Sequence, residues 1–461
     1  MSISNPSPRR QSFAASSAAS GLASVAVDGR RLMQTITEMG AIGALPEGGV
    51  RRLAFSPEDI QARAVAQQWM QSAGMTVTTD AAGNIIGRYP GRFPASPALA
   101  TGSHLDTVPN AGIYDGTYGV LAGIEVARTL HEQGIQLDHP FEVIVFADEE
   151  RTMIGSKAMA GQASLNPADY AHPHYDAIEP CVNRIGGDWD NVTAAQREPG
   201  VLAAFVEVHV EQGPVLETAG NPMGLVTGVV GQRRYLITFA GQASHAGTTP
   251  MSLRQDALVA ASQLVLAVNE IGRRRDELLT GDQVATVGAM QLTPNVANTI
   301  PGQVELTVDM RDLSNDCLDR MVAMLTERAG AIATQTDTEF TIRPQLRNEP
   351  VPANSHIQNT IGQVCETLAL PVISLPSRAS HDAQIMGSLT DMGMIFVPSQ
   401  AGISHAETEY TAPEHCIQGA NVLLHTILQL DQHYRCVAEP RSSGQASVRS
   451  STTNPVAAAT T

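Results

Sequence analysis

The chain has 461 residues, 43% hydrophobic and only 4% aromatic, which is apolar material enough for two ordinary domains. Lys and Arg number 29 against 46 Asp and Glu, and the resulting charge of −17 argues against nucleic acid or an anionic membrane as a partner. Cys181, Cys317, Cys365, Cys416 and Cys436 are scattered, odd in number and without a CxxC pair, and no apolar run nears the ~20 residues of a membrane helix; this is the usage of a reduced, cytoplasmic protein.

The first 27 residues contain no acid, carry Arg9-Arg10 and are rich in Ser and Ala. Residues 1–26 therefore read as a disordered tail or as a targeting segment for an organelle or for export, although serines from Ser12 onward make a poor hydrophobic region. Helical periodicity is expected over Pro57–Ala73 and Val120–Gln133, and short apolar runs at Ala98–Thr101, Phe141–Ala147 and Phe205–Val210 read as buried strands. The middle differs: Tyr235–Phe239, Val284–Met290 and Val304–Asp309 alternate like half-buried strands, with helices at Arg254–Arg274 and Cys317–Thr334. A compact α+β module from about Val226 to Arg343, inserted in a larger α/β domain of residues 27–225 and 344–436, fits this series. Further on come a helix at His356–Leu368, a strand at Gly393–Val397 and a helix at Ile417–Leu430. Residues 437–461 are low-complexity and read as a disordered tail.

Four of the buried-strand candidates run into polar clusters: His104-Leu-Asp106, Asp148-Glu149-Glu150, His209-Val-Glu211-Gln212, and, after Gly393–Val397, Gly402-Ile-Ser-His405. In open α/β sheets sites gather beyond the carboxyl ends of strands, so the four can converge on one crevice. Imidazoles and carboxylates without cysteine suit Zn, Mn, Co or Ni, and Asp115, in the turn Tyr114-Asp115-Gly116, is a suitable bridge between two such ions. Each cluster has an ordinary reading: a single His after a strand is more often a hydrogen-bonded core residue, and adjacent acids are usually a solvated loop. His131, His172, His174 and His425 are read as surface or structural. The conjunction of all four carries the argument.

With those residues in view, the chain resembles the dinuclear metallo-amidase and aminopeptidase family, in its branch of N-carbamoyl-L-amino-acid hydrolases, β-ureidopropionases and allantoate amidohydrolases. The stretches that carry the resemblance are GSHLDTVPNAGIYDGTYGVLAGIEV, FADEE, VEVHVEQGPVLE, GQRRYLITFAGQASHAGTTPM, PNVANTIPGQVELTVDMRD, SHDAQIM and GMIFVPSQAGISHAETEYT. It implies a catalytic domain with a central mixed sheet, interrupted by a ferredoxin-like lid and dimerisation domain, and hence a homodimer. It implies two divalent ions per subunit, held by His104, Asp115 as the bridge, Glu150, His209 and His405. Asp106 would orient the ring of His104, and Glu149 would be the general base acting on a water shared by the two ions. His245, reaching across from the other subunit, would stabilise the oxyanion, and Gln212, Asn298, Arg311 and His381 would bind substrate. Taken alone, Arg311 in Asp309-Met-Arg311-Asp312 reads as a surface ion pair.

The activity implied is hydrolysis of the ureido C–N bond of an N-carbamoyl amino acid or β-ureido acid. Allantoate amidohydrolase is the near alternative, suggested by the run GQRRY; a peptidase or N-acyl amino-acid hydrolase is the next, and a catalytically dead binding protein the alternative from another class. Two departures stand out. After Glu150 the branch usually continues with Gly and a longer loop, whereas here Arg151 follows at once. Before His381 it typically has Gly-Ala-Gly, whereas here Arg378-Ala379-Ser380 stands, and Arg378 is expected to add a positive contact that favours a more acidic substrate.

Overall fold

The computed structural model describes residues 25–171, 176–275 and 279–438, so residues 1–24 of the expected tail at 1–26 and nearly all of that at 437–461 lie outside the described residues. His172 and His174 also lie outside them.

Runs of Val, Ile, Phe and Ala without polar alternation cannot leave a face in water, and they become the centre of a nine-stranded mixed sheet. Four of its strands lie side by side and parallel: Phe141–Phe146, Ala98–His104, Leu202–Val210 and Asp391–Val397. Strands Thr76–Thr79 and Ile85–Tyr89 extend the sheet antiparallel on one side. Met223–Val229 crosses antiparallel on the other, and itself pairs with Val372–Ser377 and Val351–Pro352. Alternate side chains feed two cores. Leu99, Val143, Val206, Val208, Ile395 and Val397 pack under the helices Gly29–Gly40, Pro57–Ser72, Thr117–Glu132, Ser355–Thr367 and Pro413–Ala438. Ala100, Ile144, Phe146, Phe205, Met394 and Phe396 face the other way, against Met159, Ala383 and Met386.

Local chemistry sets the helix starts. Ser56 accepts from the Asp59 N–H, Pro57 fills the first position, and Glu58 and Asp59 face the positive helix end. The four Cys side chains that can be described are free and buried. Among the described residues no helix is long and apolar enough to cross a membrane.

A second, four-stranded antiparallel sheet runs in the order Glu339–Asn348, Gly231–Ala240, Gln303–Asp312, Val284–Thr293. One face is covered by the helices Ala257–Arg273 and Asn315–Thr336 around a core of its own, built on Ile237, Phe239, Leu264, Leu306 and Leu325. Gln303–Asp312 shows the alternation read in the sequence, its even positions all buried. Both junctions expected for the inserted module, at 226 and 343, fall inside strands: Val226 lies in the large sheet and Arg343 in the small one.

Candidate metal centre

Four parallel strands side by side place four carboxyl ends on one edge, and each end carries one of the polar clusters. His104 closes the first strand. Its Nδ1 lies 2.9 Å from the main-chain oxygen of Asp106, which fixes a proton there and turns a free Nε2 outward. His209 is held in the same way, with Nδ1 at 2.8 Å from the Val210 oxygen, and its Nε2 accepts the Gly116 N–H at 3.2 Å. Asp115 ends the turn that opens the helix Thr117–Glu132, where the helix N-terminus favours a carboxylate. Gly116, at φ +62°, has to be glycine: a Cβ there would lie 2.3 Å from the His104 ring. Asp148, Gln212 and His405 also take left-handed φ at the strand ends, strain of about 1–3 kcal/mol each that the surrounding packing must hold.

The side chains converge on Asp115. Its Oδ1 is 3.2 Å from His209 Nε2 and 3.7 Å from His104 Nε2, and its Oδ2 is 3.2 Å from His405 Nε2. His405 Nε2 stands 3.5 Å from Glu150 Oε2. Two ligand groups result, His104–Asp115–His209 and Asp115–Glu150–His405, each with donor atoms within 4.8 Å of one another. Asp115 belongs to both, one oxygen toward each.

The electrostatics call for cations. Burial drives the Glu150 carboxyl up to about 8, helped by Asp115, and burial followed by the charge of Asp59 drives Asp106 to about 7. Burial, then Asp382 and Glu150, holds Glu149 well above the carboxylate range. Against burial, hydrogen bonding to Asp115 raises His209 to about 9, and the same bond takes His405 to about 9. Glu150 Oε1 is buried with no hydrogen-bond partner. Crowded buried carboxylates with an orphan oxygen beside outward-turned imidazoles fit divalent ions.

Residues 100–429 match the protein family described as peptidase family M20/M25/M40. The chain belongs to that family. It is 40% identical to an N-carbamoyl-L-amino acid amidohydrolase of Geobacillus stearothermophilus, over 88% of this chain and 99% of the other. It is 33% identical to an allantoate amidohydrolase of Bacillus subtilis, over 84% and 94%. A crystal structure of an amidase of the hydantoinase/carbamoylase family from Burkholderia multivorans superposes with TM-score 0.83 at 39% identity, covering 88% of this chain and 99% of that one. This member of the M20/M25/M40 family is thus an amidohydrolase acting on non-peptide C–N bonds, with residue groups arranged for divalent metal.

The remaining candidates divide into those at the centre and those away from it. In this amidohydrolase Glu149 Oε2 stands 3.5 Å from His104 Nε2. Gln212 donates to Asp115 Oδ2 at 2.8 Å, and His381 is buried with its ring 4.5 Å from that of His209. The carboxylate of Asp106 is 3.9 Å from His104 Nδ1; its oxygens accept the Glu149 and Glu150 N–H groups at 3.4 and 3.2 Å, so it orders the acid turn while its main chain holds the ring. Arg311 makes the ion pair with Asp309, at 2.9 Å, and also donates to the main-chain oxygen of Arg378 at 2.7 Å, three residues before His381. Arg378 itself donates to the Asp282 carbonyl at 3.0 Å. His245 and Asn298 lie apart from the centre: both are exposed, on the short ribbon where Ser244–His245 pairs with Thr299–Ile300. The abrupt turn after Glu150 is closed by Asp148, whose carboxylate binds Arg151 at 3.0 Å, before the helix Ile154–Met159 begins.

The structure adds residues that sequence reasoning passed over. Glu409 accepts the N–H groups of Tyr114 and Asp115, each at 3.1 Å, and lies 2.9 Å from the Ser404 hydroxyl, which is 3.1 Å from Asp115 Oδ2. Glu207, fully buried two residues before His209, accepts from the Ser103 hydroxyl at 2.7 Å and the Ala383 N–H at 2.9 Å. The available signal for Glu207 was a charge inside an otherwise apolar strand; for Glu409, a spacing of four from His405.

Proposed function

We propose that the chain hydrolyses the ureido C–N bond of an N-carbamoyl amino acid or β-ureido acid, using two divalent ions drawn from Zn, Mn, Co and Ni. The observation that carries this is a single carboxylate, Asp115, shared by two ligand groups with an uncommitted carboxylate, Glu149, beside them. The likeness to an N-carbamoyl-L-amino acid amidohydrolase at 40% identity supports the substrate class.

When bound, the ions supply polarisation of the ureido carbonyl and a lowered pKa for water. His104, Asp115 and His209 would hold one, and Asp115, Glu150 and His405 the other. Glu149 takes the proton of the attacking water at a side-chain oxygen and returns it to the departing nitrogen. Gln212 keeps Asp115 aimed, and His381 lines the floor next to His209. Arg311 presents its planar fork to the substrate carboxylate, which suits its place beside the loop that leads into His381. His245 and Asn298 serve the site of a second subunit, as their exposure on the small sheet's ribbon suggests, with residues 230–349 acting as lid and dimer contact. The products are ammonia, CO₂ and the free amino acid.

The test is ammonia release by Mn²⁺- or Zn²⁺-loaded protein offered N-carbamoyl-alanine, β-ureidopropionate, allantoate and ureidoglycolate. Turnover of the first or second supports the proposal. Turnover of allantoate alone, or of no N-carbamoyl or β-ureido acid at all, rejects it.

A further inference from the structure

The seam between the two sheets carries more guanidinium donors than it has acceptors. Asp309 is the carboxylate at its centre, and it is already divided: Oδ2 accepts from Arg234 at 3.0 Å and from Gln232, while Oδ1 accepts from Arg311 Nε at 2.9 Å. The other bond of Arg311 goes to a neutral carbonyl, that of Arg378. Arg378 is worse supplied. Its Nη2 has the Asp282 carbonyl, and the Asp282 carboxylate stands off at 4.0 Å on a side chain 73% exposed, where screening leaves little attraction. The Arg378 side chain is 35% exposed, but its Nε is buried with no partner, and its Nη1 donates to none of the described residues. Glu211 feels the charge of Arg378, but both its oxygens are taken by the N–H groups of Val215 and Leu216, at 2.7 and 2.9 Å.

One substrate carboxylate bound to Arg311 leaves Arg378 unanswered. A buried guanidinium N–H without an acceptor is costly, and the least expensive cure is a second planar anion. Arg378 belongs to the same loop as His381, whose ring centroid lies 4.5 Å from that of His209, and its charge acts on Glu211, the neighbour of Gln212 at the centre.

We infer that the substrate carries two acid groups, one for Arg311 and one for Arg378: an N-carbamoyl derivative of a dicarboxylic amino acid. This rests on the proposed ureido hydrolysis and narrows it. The experiment compares kcat/KM for N-carbamoyl-aspartate and N-carbamoyl-glutamate with N-carbamoyl-asparagine and N-carbamoyl-glutamine, which have the same shape without the second charge. In the natural protein each acid should exceed its amide by about tenfold or more, a margin in the range a lost charge-assisted contact gives. The acid-to-amide ratio should fall close to one in Arg378→Gly and be largely kept in Arg378→Lys. Being a ratio within each protein, it is insensitive to how much of a variant folds. Amides turned over as well as acids by the natural protein, or a ratio unchanged in Arg378→Gly, overturns the inference while N-carbamoyl-alanine turnover leaves the ureido reading standing. No ammonia from any ureido acid overturns both.

Discussion

Replacing Glu149 with Gln separates chemistry from assembly at this site. The amide has the shape of the carboxyl and leaves untouched the main-chain bond from Glu149 N to Asp106, at 3.4 Å. What disappears is the capacity to take a proton. Positioned general acid–base groups contribute about 10²–10⁴ in rate. At 1.36 kcal/mol per decade, the barrier should rise by about 3–5 kcal/mol. Stability should respond differently. Burial, with Asp382 and Glu150, holds the Glu149 carboxyl well above the usual carboxylate range in the metal-free protein. Because Gln keeps the shape and the main-chain bond, the metal-free melt should change far less than the rate. The assay is steady-state ammonia release by natural and Glu149→Gln protein, each with its metal content measured. A loss smaller than tenfold, or a loss that follows depleted metal, would refute the assignment.

Other outcomes follow from the same geometry. Glu409→Gln removes one of the oxygens that hold the Asp115 turn and Ser404, and metal affinity should fall about 10–100-fold in a chelator competition. Metal uptake at pH 7 should release about three protons per chain to an indicator dye, because Asp115 bonding holds His209 and His405 up at about 9 and burial holds Glu150 at about 8, and all three must deprotonate to bind. The release should shrink as pH rises past those values, and metal affinity should weaken progressively as pH falls further below them. If His245 acts across subunits, mixing inactive His245→Ala and Glu149→Gln proteins with subunit exchange should restore about a quarter of natural activity, since half the dimers would hold one intact site; no recovery would place His245 in its own subunit's site.

Much of this site could be read before any coordinates because buried parallel strands announce themselves. Ala98–Thr101, Phe141–Ala147 and Gly393–Val397 are mostly apolar, Phe205–Val210 is interrupted only by Glu207 and His209, and the polar cluster at the end of each run marks the strand end where a site forms. What escaped notice has physical reasons. Val372–Ser377 and Glu339–Asn348 carry Pro376 and Pro344 inside strands, tolerated because each strand pairs on one side only and shifts register at the proline. Gly29–Gly40 begins and ends in glycine and holds two β-branched threonines, which hide a helix that Asp28 nonetheless caps. Glu207 accepts from Ser103 and Ala383, and Glu409 from the turn at Asp115, and a supporting carboxylate has no spacing rule of its own. The part given to the Asp106 side chain illustrates the limit: sequence places an acid two residues from His104, and only geometry shows that its main chain meets the ring.

The account stands on Asp115 serving two ions at once. Metal analysis of the fully loaded protein after removal of excess ion should find about two divalent ions per chain, and Asp115→Ala, folded by circular dichroism, should retain fewer than one because both groups lose their common donor. One ion in the natural protein, or a tightly held ion surviving in Asp115→Ala, would contradict it.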